Sequence, residues 1–223
     1  MRKVLRTEAG AFVSPQHLRP NTGFLCMGQL FAVAYDTLLW PLECLWLGAL
    51  RAKVLAQTPG LVLEIGIGTG FNLPHYMPQH DLVGIDPDAS MLGRARRRAA
   101  RLSCAVRWCQ ARAEALPFKD ASFDTVVGTL VFCTIPDPPQ AFREVLRVLR
   151  PGGGVLLLEH VRGPQPLVAY LQDRLTPIWK RLCDGCHLNR ETLATASATG
   201  VRIRRVEPYV NANVLIIEAG RDR

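Results

Sequence analysis

Leu61-Val62-Leu63-Glu64-Ile65-Gly66-Ile67-Gly68-Thr69-Gly70 is the stretch that decides the fold of this chain. Its apolar start has the length and composition of a strand buried in a parallel sheet. Glu64 interrupts the run near its C-terminal end. Gly66, Gly68 and Gly70 then make a loop in which the backbone must turn tightly and come close to a ligand. A helix is expected to open near Phe71, with its free N–H groups facing the same crevice. The glycines lack the last spacing of the dinucleotide fingerprint Gly-x-Gly-x-x-Gly. A carboxylate before the first glycine accepts hydrogen bonds and repels phosphate, so Glu64 suits a ligand that offers hydroxyl and amine donors.

Outward from this loop the chain alternates strand and helix, the pattern of a doubly wound sheet. Residues 81–86 form the second strand and end on Asp86, at the tip where such folds grip a ribose through its hydroxyls. A helix over residues 88–102 takes Asp88 as its N-cap. Strands are expected over 105–109, 123–131 and 154–159, and an amphipathic helix over 139–149 stops at Pro151 and Gly152. Residues 166–182 read as a helix broken near Pro177, and 190–199 as a helix closed by Gly200. Residues 201–207 and 214–219 close the sheet as an antiparallel hairpin.

Five motifs stand in order: Glu64 to Gly70, Gly84-Ile85-Asp86-Pro87, Glu114-Ala115-Leu116-Pro117-Phe118, Phe123-Asp124-Thr125-Val126-Val127, and Leu149-Arg150-Pro151-Gly152-Gly153. In that order and at that spacing they resemble the class I S-adenosylmethionine-dependent methyltransferases, over roughly residues 35–220. The resemblance implies an α/β fold, a Rossmann-like doubly wound seven-stranded sheet. That sheet is mostly parallel with an antiparallel C-terminal hairpin, and N-terminal lid helices are added to it. It also implies S-adenosyl-L-methionine as cofactor and S-adenosyl-L-homocysteine as product. On this reading Glu64, Gly66, Gly68 and Gly70 approach the methionine part, and Asp86 holds the ribose. Pro87 and Met91 flank the adenine, with Arg112 and Ala113 at its edge. Thr129 and Leu130 face the amino-acid end of the cofactor. Many relatives carry an acid where Arg112 stands. Arginine cannot accept from the adenine amine, so Glu114 or a backbone carbonyl must do so.

The chain has 223 residues, enough for one domain with an N-terminal extension, and 48% hydrophobic residues, enough for a full core. Its formal net charge of +8 invites nucleic acid or anionic lipid as a partner. The arginines between 94 and 101 read as a solvated helix face, and aromatic–basic interleaving is lacking, so no nucleic-acid partner is expected. Seven scattered cysteines read as reduced thiols, which points to the cytoplasm. Cys183-Asp184-Gly185-Cys186-His187 has the spacing of a c-type haem attachment site and contains a Cys-x-x-Cys. No convincing cleavable signal peptide and no second pair of zinc ligands accompanies it, so neither haem nor metal is expected.

Residues 1–23 are polar and basic and read as a tail. Residues 24–56 are apolar, with Asp36 and Glu43 as their acids and Pro41 in the middle. Acids are costly in lipid and Pro41 splits the run, so the segment reads as two lid helices over the pocket. Partial insertion into a membrane surface is the alternative. Residues 57–223 form the methyltransferase domain.

Methyl transfer to a weakly acidic acceptor needs a base, and His160, directly after the fifth strand, is the first candidate, with His187 second. Glu159-His160-Val161, Pro177-Ile178-Trp179-Lys180, Asp184-Gly185-Cys186 and Arg190-Glu191-Thr192 resemble the membrane-associated thiol S-methyltransferases and their bacterial relatives. The 114–118 motif also resembles quinone C-methyltransferases and phosphatidylethanolamine N-methyltransferases. All these branches imply a small or lipid-like apolar acceptor, a thiol in the first reading, with Tyr35, Trp179 and Leu188 on the acceptor side. A non-catalytic cofactor-binding protein is the reading from another class. The sequence leaves the oligomeric state open.

Overall fold

In a computed structural model that describes residues 43–56 and 58–222, Leu61–Ile65 (β1) lies inside a seven-stranded sheet. The other strands are Asp81–Asp86 (β2), Val106–Gln110 (β3), Phe123–Thr129 (β4), Leu149–His160 (β5), Arg202–Tyr209 (β6) and Val214–Gly220 (β7). Their spatial order is β3-β2-β1-β4-β5-β7-β6. The first five are parallel, and β7 runs antiparallel to both β5 and β6. The strand order reverses between β1 and β4, and such a switch point opens a crevice beyond the strand ends.

Side chains alternate across this sheet and build two apolar layers. Leu63 and Ile65 of β1 enter one layer with Phe123, Phe132 and Phe142. Val62 enters the other, with Leu50, Val54 and Leu55 of the helix Gly48–Leu55 (α1) and Leu92 of Ala89–Arg101 (α2). The first layer is closed by Pro138–Val148 (α3) and Thr192–Ala198 (α5). Between these in sequence, Pro166–Leu182 (α4) buries only Ala169 and Thr176 of its chain. Asp88 caps α2 by accepting from Ser90 N over 2.6 Å, as expected of an N-cap aspartate.

The helix expected at Phe71 is absent. Residues 71–76 make turns with one short 3₁₀ segment, Leu73–His75. Pro74 supplies no N–H, and Pro78 would clash with an earlier carbonyl in any longer helix. The fourth strand stops at Thr129, because Leu130 adopts a left-handed φ of 54°. The fifth begins at Leu149, five residues early. Leu149 pairs with Phe123 and Gly154 with Thr125, so Arg150, Pro151, Gly152 and Gly153 bulge out of the ladder. Pro151 therefore ends the helix without ending the strand. Helix α4 runs unbroken through Pro177, which lies on its exposed side, where water can satisfy the carbonyl that proline leaves unpaired.

Of the expected lid, residues 43–56 are described. A π-helical turn, Glu43–Leu47, leads into α1, which ends at Leu55. The tail, Tyr35, Asp36 and Pro41 lie outside the described residues. No described helix is long and apolar enough to cross a membrane.

Candidate active site

Glu64, Asp86, Thr129 and Glu159 each sit at or near the C-terminal end of a parallel strand, and all four are buried. Asp86 is held by two backbone donors: Oδ2 accepts from Gly68 N over 3.0 Å and Oδ1 from Asp88 N over 2.9 Å. Each oxygen keeps a lone pair for a further donor. Burial pushes the Asp86 carboxyl up to about 6, against the pull of those two N–H groups. Gly66, Gly68 and Gly70 have φ of 61°, 55° and 84°. A Cβ on Gly66 would meet Val131 Cγ2 at 2.2 Å, whereas one on Gly68 meets only the Gly66 carbonyl, at 3.9 Å. The loop is thus packed against protein at Gly66 and open at Gly68. Arg98 of α2 clamps it from outside, donating to Thr69 O over 2.9 Å with its guanidinium 4.3 Å from the Phe71 ring centroid. That arginine belongs to the run expected to be a solvated face.

A buried polar net joins this loop to α1. Asn72 Nδ2 donates to Glu64 Oε1 over 2.9 Å and to Thr129 Oγ1 over 3.0 Å. Arg51, 3% exposed, donates from Nη1 to Asn72 Oδ1 over 2.9 Å and to Thr129 Oγ1 over 2.6 Å. Its other edge pairs with Glu43 at 2.7 Å. Burial pushes the Glu64 carboxyl up to about 7, opposed by Tyr76, Asn72 and Arg51. Its Oε2 makes no hydrogen bond of ordinary length among the described residues, the buried Tyr76 hydroxyl being its neighbour. A carboxylate with one oxygen short of a hydrogen bond, beside an open glycine loop and a second carboxylate, fits a ligand that carries an amine and a diol.

The remaining expected cofactor residues divide. Met91 and Ala113 are buried, Pro87 is exposed, and Leu130 is half-buried at the strained turn after β4. Arg112 points outward and pairs with Glu114 at 3.1 Å, so neither its charge nor an acceptor of its own is aimed inward.

His160, the first candidate base, does not stand alone. Its Nε2 lies 3.2 Å from Cys186 Sγ, and Cys133 joins them: the three ligand atoms all lie within 4.8 Å of one another. Cys133 hydrogen-bonding, together with His160 and Trp179, brings the Cys186 thiol down to about 4 against the effect of burial. Burial alone would lower His160, but the Cys186 sulfur and Glu159 outweigh it and raise the ring. Each of the two groups therefore favours the charged form of the other. Glu159 Oε1 accepts from Val131 N and Phe132 N over 2.9 and 3.0 Å, and its Oε2 is buried without a partner among the described residues. His187 is not one of these three and binds the Cys133 carbonyl, with backbone N at 2.9 Å and Nδ1 at 3.2 Å. Leu188 is half-buried in the same loop, and Trp179 stands beside Cys186 on the outer side of α4.

Sequence reading missed Arg51, Asn72 and the convergence of Cys133 with Cys186. Cys183, the other half of the Cys-x-x-Cys, is not in the cluster. The signal available was weak: an arginine and a glutamate inside an apolar run, and an asparagine just past the last glycine.

Residues 63–157 match the family model described as a methyltransferase domain. A thiol S-methyltransferase of Rattus norvegicus, TMT1B, is 40% identical over 136 residues, which cover 59% of this chain and 55% of the rat protein. The TMT1B enzyme of Homo sapiens is 36% identical over 174 residues, 71% of each chain. Among solved structures, a SAM-dependent methyltransferase of Thermotoga maritima superposes with a TM-score of 0.67 at 21% identity, covering 88% of this chain and 99% of that one.

Proposed function

The chain belongs to the class I S-adenosylmethionine-dependent methyltransferases, and from that premise we propose that it methylates a small or lipid-like apolar acceptor, a thiol first of all. S-adenosylmethionine supplies the methyl group on an electrophilic sulfonium. The observation that carries the reading is the buried Asp86 carboxylate bonded to Gly68 N across an open glycine loop. Asp86 takes the ribose hydroxyls, and Glu64, through Oε2, takes the amine. Gly68 leaves the space between them clear. Leu130, Met91 and Ala113 provide apolar walls that keep water out.

Methyl transfer asks the protein for alignment and, with a thiol, for loss of one proton. A free thiol ionises near pH 8.5, so a modest local bias is enough. His160 and Cys186, paired at 3.2 Å, provide that bias. The thiol preference is supported by the two TMT1B relatives, whose names state that activity, and by Trp179 standing against this cluster. The tie from Arg51 to Thr129 supports the lid reading for the segment before α1.

The test is formation of S-adenosylhomocysteine by the purified protein with alkyl thiols, short-chain quinols and phosphatidylethanolamine vesicles in parallel. Turnover with thiols is the expected result. Turnover with quinols or lipid alone would reject the thiol and keep the class. Tight binding of S-adenosylhomocysteine with no turnover on any acceptor would make this a cofactor-binding protein.

A further inference from the structure

Cys133, His160 and Cys186 come from three separate places: the loop after β4, the last residue of β5 and the loop after α4. Nothing in their sequence spacing joins them. We infer that they form a three-ligand site for a zinc ion whose fourth position faces the acceptor. The metal site stands on its own geometry; the identity of its fourth ligand rests on the thiol reading above.

The donors are two sulfurs and one imidazole nitrogen, a soft set that selects zinc over magnesium or calcium. Tetrahedral zinc with bonds of about 2.0–2.3 Å sets its ligand atoms about 3.3–3.8 Å apart. The three atoms here lie within 4.8 Å of one another, with Nε2 to Cys186 Sγ at 3.2 Å, so small side-chain rotations bring all three onto one ion. Two thiolates neutralise the ion, and the buried Glu159 carboxylate beside the cluster, with Oε2 unpartnered among the described residues, favours a cation there.

The support around the ligands is fixed before any ion arrives. His187 holds the Cys133 carbonyl through both its backbone N and Nδ1. Arg190 Nη2 donates to Ile135 O over 2.7 Å. Together they fasten the Cys186 loop onto the Cys133 loop, as outer residues fix ligand geometry in metal sites. Cys133 is buried, while His160 and Cys186 are half-buried, so the open position lies toward the surface of the molecule. Three protein ligands and one open position is the arrangement of catalytic zinc. On binding there, the S–H bond of a thiol breaks. Its electron pair goes to the metal–sulfur bond, and its proton leaves to solvent.

The experiment uses the full chain, kept reduced, mixed with equimolar Zn²⁺ and desalted. Elemental analysis should find about one zinc per chain. Cys186→Ala and His160→Ala should lose it, and His187→Ala should weaken binding by about 10–100-fold. Circular dichroism and S-adenosylhomocysteine calorimetry separate loss of metal from loss of fold. Cobalt-loaded protein should show a thiolate charge-transfer band that strengthens with octane-1-thiol. Wild-type protein that retains no zinc, variants that retain it equally, or a Cys133–Cys186 disulfide found by mass spectrometry in reducing buffer would each overturn the site. A band that octane-1-thiol leaves unchanged would overturn the open position. Zinc held by the cluster in a protein that methylates only quinols or lipid supports the metal site and removes the thiol acceptor.

Discussion

Arg51 Nη1 donates to Thr129 Oγ1 across 2.6 Å, which ties α1 to the end of the fourth strand. The same guanidinium pairs with Glu43, and both side chains are nearly inaccessible, at 3% and 7%. Arg51→Ala leaves the Glu43 carboxylate buried without its cation. Truncating one partner of a buried pair costs about 3–5 kcal/mol. Urea unfolding should show that loss, and Glu43→Gln in the same chain should recover part of it. A loss near zero would mean that water reaches Glu43 and the pair is not structural.

Asp86→Ala should weaken S-adenosylhomocysteine binding by about 1.5–3 kcal/mol, the scale of hydrogen bonds to a charged group. Gly68 N and Asp88 N would also lose their acceptor. Unchanged affinity by calorimetry removes Asp86 from the site.

The first two loop glycines should fail in different ways. Gly68→Val places a side chain in the open crevice at a φ of 55°, and the sheet should fold with cofactor binding abolished. Gly66→Ala drives its Cβ to 2.2 Å from Val131 Cγ2, so it should lower the melting temperature as well. Full binding by Gly68→Val would show that the loop does not approach the ligand.

Cofactor affinity should depend on pH through Asp86. Its carboxyl is raised to about 6 by burial, so the accepting, ionised form dominates above that value. Glu64, raised to about 7, loses its charge first, so affinity should level off only above pH ~8, and protonation of Asp86 should add a fall of up to about 10-fold per unit below pH ~6. The bare fold should respond in the opposite sense. A carboxyl whose folded pKa exceeds its unfolded value binds its proton more tightly in the native state. Glu64, Asp86 and Glu159 therefore add stability as pH falls from about 8 toward about 5. Asp86→Asn should remove the fall below pH ~6 and leave the part due to Glu64; an unaltered profile in that variant would assign the lower titration elsewhere.

His160→Ala should slow thiol methylation by about 10²–10⁴-fold with cofactor binding little changed. The deficit should shrink as pH rises past about 8.5, where free thiols ionise without help. A deficit independent of pH would make His160 an orienting residue for Cys186 and the acceptor rather than a source of thiolate.

The strands were legible because parallel strands buried on both faces write long apolar runs, and because Asp86 and the glycines mark where those runs end. The 3₁₀ turn at Leu73–His75 was misread since the loop suggested a helix more strongly than Pro74 and Pro78 opposed it. The Cys–His–Cys cluster was illegible for a different reason. Cys133, His160 and Cys186 meet only because β5 runs beside β4 and the loop after α4 folds back over both strand ends. Likewise, Arg51 and Thr129 are 78 positions apart, and no local pattern encodes their contact.

Strand β7 fills the slot between β5 and β6 although it is the latest of the seven along the chain. At about 5–20 residues per second, a ribosome finishes β5 several seconds before β7 emerges. Throughout that interval Val155, Leu156, Leu157 and Leu158 lie on an unpaired edge, open to strands of other nascent chains. His160 belongs to the same edge and meets its partner Val214 only at the end. Biosynthesis is thus the period in which this molecule is most exposed to aggregation, and the vulnerable edge ends in His160. Slow synthesis at low temperature, with chaperones that hold unfolded chains, is the condition under which soluble protein should accumulate.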